Sequence, residues 1–119
     1  MDARELRIGN WMSFDTDRGI APMQIESIRK DKVSSGFEVS YYDDERCQPI
    51  SLTDEIMLKA GWKELGPWAK GNLRLDGENR LIVIDNTGYG IIVARNIKYV
   101  HQLQNHYFAL TGEELEFKL

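Results

Sequence analysis

The chain has 119 residues, 42% of them hydrophobic and 10% aromatic, with 15 Lys and Arg against 19 Asp and Glu for a formal net charge of −4. That length suits a single domain able to bury about two thirds of the surface of its unfolded chain, and that composition argues against disorder. The acidic balance gives a polyanion no basic surplus to find, the lone Cys47 leaves no internal disulfide, and the longest aliphatic runs, LIVI and IIVA, are too short to span a membrane.

In chain order, the opening MDARELRIGNW lacks the apolar core of a signal peptide. With a single cysteine, that places the expected protein in the cytoplasm. Residues 11–15, 23–29 and 37–42 are predicted strands, the third alternating Phe37, Val39 and Tyr41 against Glu38, Ser40 and Tyr42. Gly19 with Pro22, and then Ser34-Ser35-Gly36, mark the turns between them. Three short strands with polar loops suggest a small curled sheet, partly like an SH3-like barrel.

A connector helix is predicted near residues 53–60. Thr53 is its N-cap, Asp54 and Glu55 fill the first turn, Leu52 and Met57 are placed as a hydrophobic staple, and Gly61 stops it. Ile56, Met57 and Ala60 would pack inward. Residues 62–71, broken by Gly66, Pro67 and Gly71, read as irregular, with Trp62 and Trp68 covering the core. Strands over 72–76, 80–85 and 90–96 follow, joined by tight turns at Gly77-Glu78-Asn79 and Asn86-Thr87-Gly88. Leu81 to Ile84 is apolar on both alternations, which predicts a strand covered on both faces, by the terminal helix and by the N-terminal strands.

The clearest helix lies at the end. Val100, Leu103, Tyr107 and Leu110 form one helical stripe, predicting a helix over about residues 98–110 stopped by Gly112. The fold class is therefore α+β, with small antiparallel sheets, a short connector helix and one C-terminal helix. Around the stripe stand His101, Gln102, Gln104, Asn105 and His106, uncharged polar groups where a solvated face would carry Lys and Glu. Such groups suit positions that must both donate and accept hydrogen bonds. Tyr99, Gln102, Asn105 and His106 are accordingly the candidate partner-binding residues, toward another protein or as the polar seam of a homodimer. Adenine readout by the amides is disfavoured, because only Arg95 and Lys98 lie near for phosphate contacts. The remaining alternative is that these side chains bond the chain's own loops.

Other motifs carry less. His101 and His106 are five apart, about 140° around a helix, so they cannot share one metal from the same face. Asp15 to Glu26 resembles a calcium loop but has Ile20 where the turn needs glycine. Asp43-Asp44-Glu45 reads as a solvated loop, and Gly88-Tyr89-Gly90 leads into a strand rather than a phosphate-binding helix. Cys47 beside Arg46 has no nucleophile motif around it. No catalytic residue, metal or cofactor is expected, and an enzyme is not the expected reading.

Three stretches, LRIGNWM, PISLTDEIMLKAGW and YVHQLQNHYFALTGEEL, occur in this order across nearly the whole chain. They resemble a group of small proteins encoded by phages, prophages and mobile elements of Bacteroides-type gut bacteria. The resemblance implies a mobile-element setting and brings no catalytic residue, cofactor or substrate. Within it the expected function is a non-enzymatic protein-interaction module, with a nucleic-acid-associated accessory or regulatory protein as the alternative.

Overall fold

The computed structural model describes residues 5–16, 18–29, 32–35 and 47–119, and the backbone of 38–41. Its N-terminal part builds two three-stranded antiparallel sheets. The first has β1 (Trp11–Thr16) between β2 (Gly19–Gln24) and β6 (Cys47–Pro49), and the second has β4 (Lys32–Ser35) between β3 (Ser27–Ile28) and β5 (Glu38–Tyr41). No strand ladder joins these two sheets into a closed barrel among the described residues. Strand pairing departs from the expected pattern in two places. Pro22 and Pro49 lie inside β2 and β6 rather than between strands. Both are edge strands of their sheet, where a missing N–H leaves no ladder bond unmade. The single strand expected over 23–29 is broken at Ile25, whose N–H donates to Asn10 O at 2.8 Å while its carbonyl accepts from Gly9 N at 2.8 Å. The chain leaves one sheet to hold residues 9–10 before starting the next. Ser34 and Ser35, expected in a turn, are strand residues of β4. Phe37 and Tyr42 lie outside the described residues.

The connector helix α1 (Asp54–Lys59) forms as its sequence dictates. Thr53 Oγ1 accepts from Ile56 N at 3.2 Å, Leu52 and Met57 enter the same core, and Gly61 at φ +89° turns the chain out. Residues 62–71 are not irregular. They supply β7 (Lys63–Glu64) and β8 (Trp68–Lys70), which with β9 (Leu73–Leu75), β10 (Leu81–Ile84) and β11 (Gly90–Ala94) make a five-stranded meander in sequential order. Two strands of two and three residues are too short to show an alternation, so Gly66, Pro67 and Gly71 dominate the sequence there. The two later turns are each built on an aspartate. Asp76 Oδ1 accepts from Glu78 N and Arg80 N, and Asp85 Oδ1 accepts from Thr87 N and Tyr89 N.

Helix α2 (Val100–Thr111) closes the fold, ending on Gly112 at φ +74°. The larger core gathers Met57, Trp62, Leu73, Leu75, Leu81, Ile97, Val100 and Leu103, with Leu115 and Phe117 from the tail beyond α2. A smaller one joins Leu6, Met12, Phe14, Ile25, Val33 and Cys47. Two expectations are corrected here. The buried side of α2 is Val100, His101, Leu103 and Gln104, whereas Leu110, expected in the stripe, is 42% exposed. The meander, moreover, is covered on one face. Leu81 is fully buried, but Ile82 and Ile84 on the other alternation are only half-buried, because both helices pack on the Leu81 side.

That one-sidedness has a measurable consequence. Leu81→Ala should destabilise the protein by about 3 kcal/mol in urea denaturation, and Ile84→Ala by about 1 kcal/mol or less. Equal losses would show the outer face to be covered after all.

Candidate functional site

Four side chains clasp α2 to the segment that enters β1. Gln104, 2% exposed, accepts from Trp11 N at 2.8 Å through Oε1 and donates to Gly9 O at 3.1 Å through Nε2. Asn105 Oδ1 accepts from Asn10 Nδ2 at 2.7 Å and from Arg7 Nε at 3.0 Å, while its Nδ2 donates to Glu5 O at 2.8 Å. Arg7 also forms a two-point ion pair with Glu114 and lies over the Phe108 ring, 4.6 Å from its centroid. The Arg7 hydrogen bonds hold the Glu114 carboxyl below its ordinary pKa, against a smaller opposing effect of burial.

The four residues expected to meet a partner are placed as follows. Gln102 Oε1 accepts from Lys98 N at 2.9 Å and Tyr99 N at 3.1 Å, capping the helix start. Asn105 belongs to the clasp, Tyr99 is the half-buried N-cap residue, and His106 is half-buried further along α2. Two of the four are therefore engaged with the chain's own backbone and side chains. Those bonds explain the amides at 104 and 105, which each donate and accept on one neutral side chain, while Gln102 acts as an acceptor.

His101 is 1% exposed and stacked on Tyr99 at 6.0 Å between ring centroids, and among the described residues neither ring nitrogen has a hydrogen-bond partner. Burial pushes its pKa below the ordinary value, and the nearby Glu5 charge opposes this only in part. Cys47 is packed with Met12 and Phe14 in the smaller core, while both histidines belong to α2. Asp15 and Thr16 end β1, and the turn that follows is held by Thr16 Oγ1 donating to Gly19 O at 2.7 Å, a polar hairpin. Asp43-Asp44-Glu45 lies outside the described residues. Among the described residues no three His, Cys, Asp or Glu side chains are grouped to hold a metal ion. A groove of about 440 Å³ beside α1 is lined by Asp54, Trp68, Asp76, Asn79 and Lys98. Burial raises the Asp76 pKa, but bonds from Arg80 and Glu78 N–H outweigh it and leave the carboxylate anchored below its ordinary value.

The surface that the sequence did not announce is the outer side of β10 and β11. Register puts Lys63, Ala69, Arg74, Ile82 and Ile92 in one row across the five strands, facing away from the core. Ile84 and Gly90 pair in the next row. A Cβ on Gly90 would stand 2.9 Å from Ile82 Cγ2, so glycine lets the two isoleucines close over the backbone. Beside them Tyr89 is 75% exposed and Ile91 57%, with Ile92 and Val93 also exposed. Register sets Ile91 opposite Val83, on the other face from Ile82 and Ile92, so the exposed apolar groups gather along both faces of the edge strand β11, a grouping of the kind that marks interaction sites. The signal for it lies in the apolar double alternation of Leu81 to Ile84, which predicts cover on both faces, and in the aliphatic run of β11. No protein-family model, curated protein or solved structure matches the chain.

The clasp predicts a ranking. Gln104→Ala should cost about 2–3 kcal/mol, because it strands Trp11 N–H in a buried setting. Gln102→Ala should cost about 1 kcal/mol, as the loss of a helix cap does. Urea denaturation of both variants would reverse the reading if Gln102 proved the more costly.

His101 predicts a pH dependence. Its folded pKa lies below the unfolded one, so between the two the unfolded chain binds more protons. The neutral ring's contribution is whole above about pH 6.5 and is lost as pH falls toward the folded pKa. Thermal melts should show this acid-side loss in the wild type and a flatter profile in His101→Leu. An unchanged profile in the variant would assign the loss to carboxylates.

Proposed function

We propose that this protein is a non-enzymatic protein-interaction module of a phage or mobile element, acting in the cytoplasm of a Bacteroides-type host. The observation that carries the reading is the exposed run Ile91, Ile92 and Val93 of the edge strand β11, with Tyr89 before it and the half-buried Ile82 and Ile84 of β10 alongside. An isolated exposed isoleucine is ordinary, but three consecutive exposed apolar residues, Ile91, Ile92 and Val93, on an edge strand are what a partner's surface would bury. The mobile-element setting rests on the resemblance of the three stretches near the start, middle and end. The contact surface proposed is thus the sheet rather than the amides of α2, since Gln102 and Asn105 are engaged within the chain. Among the described residues no helix is long and apolar enough to cross a membrane.

Affinity capture from host lysate, with and without nuclease, tests this. Wild-type chain should retain a protein that survives nuclease, and Ile92→Lys, with its circular dichroism unchanged, should not. Recovery that vanishes with nuclease, or that falls steeply between low and physiological salt, would instead assign the chain to nucleic acid.

A further inference from the structure

The two free edges of the meander are built differently. The β7 edge is two residues long, Lys63 and Glu64, both charged and exposed. Short length and charge are the usual means of keeping a sheet edge from pairing with another chain. The β11 edge has five residues, Gly90 to Ala94, with no lysine, proline or charge among them. One bulge marks it, where Val93 is the extra residue between the pairs Ile82–Ile92 and Leu81–Ala94. The bulge lies at the Ala94 end and leaves Gly90 to Ile92 in regular register.

Resting on the reading of this strip as a protein-binding surface, we infer that its occupant is a second copy of the chain, paired antiparallel along β11 about a two-fold axis. Three features of the strip fit that occupant. The row Lys63, Ala69, Arg74, Ile82, Ile92 would continue into its own mirror order across the axis. The isoleucines of both copies then meet in the middle, and the cations stay at the far sides. Stacking the same faces on each other would bury Arg74 and Lys63 against like charges, which disfavours a face-to-face dimer. The ends of the hairpin are also complementary: Asp85 stands at the turn and Arg95 at the open end. Antiparallel pairing of β11 with its copy brings each Arg95 toward the other's Asp85 and Tyr89, whereas parallel pairing would set like beside like. Such an edge contact is isologous and closes at two copies, with the main-chain bonds supplying affinity and the side chains register.

Sedimentation of the full chain across a concentration series tests the inference. The wild type should approach twice the 13.8 kDa chain mass as concentration rises, and Ile91→Lys should remain a single copy throughout. Arg95→Glu alone should weaken association about 25-fold, roughly fivefold, the upper range for an exposed ion pair, at each of the two symmetry-related contacts. Circular dichroism checks that both variants are folded. A wild type that stays single at every concentration, yet still captures a different protein that Ile92→Lys does not, would overturn the second copy and leave the interaction surface standing. A dimer that survives Ile91→Lys would overturn the β11 edge. A single-copy wild type that captures nothing would overturn both readings.

Discussion

The Gln104 side-chain amide is the contact on which the arrangement of this protein depends. Buried and almost inaccessible, it both accepts from Trp11 N and donates to Gly9 O, so it holds the backbone of one end of the chain against a helix from the other. Only a neutral group with a donor and an acceptor can do this without an unpaired charge in the interior. Around it Asn10, Asn105, Arg7 and Glu114 extend the contact outward from the core to the surface. Beside that clasp, the first three-stranded sheet meets α2 through Trp11 and through Ile50 just after β6, whose carbonyl accepts from Val100 N at 2.8 Å, both packed on the larger core.

The C-terminal part of the fold was the more legible in the sequence. Thr53, Gly61, the two aspartate turns and Gly112 each act through bonds within a few residues, so composition alone declares them. The N-terminal sheets were harder, since their boundaries are set by distant partners. Ile25 ends a strand because residues 9–10 take its backbone groups, and Pro49 joins one because β1 runs beside it. The periodicity of α2 was right in phase near Val100 and Leu103 but failed at Leu110, where the core has ended. His101 and Gln104 take the remaining buried places, Gln104 in keeping with the reading of uncharged polar groups that bond the chain itself.

The candidate site was hidden for a related reason. Leu81 to Ile84 reads as an interior strand because an apolar residue on each alternation normally means two covered faces. In the structure the helices, the tail residues Leu115 and Phe117, and Trp62 all serve the Leu81 side, and Ile82 and Ile84 stay half-buried outside that core. The amides of α2 were the converse case, polar groups with the look of a surface that turn out to be joints. Burial and exposure cannot be assigned from side-chain chemistry alone when a sheet is one layer thick on one side.

The clasp joins residues 93 to 107 positions apart, whereas each strand of the meander pairs with its immediate predecessor. Closing so long a loop is entropically costlier than forming a hairpin, so contacts of this kind form late in assembly. The meander can therefore be built before the first sheet has docked. In the native ensemble the reverse event is the separation of that sheet from α2, with the meander and its Leu81 core intact. Amide protons of β1 and β2 would then exchange through an opening less costly than global unfolding, and those of β9 and β10 through global unfolding alone.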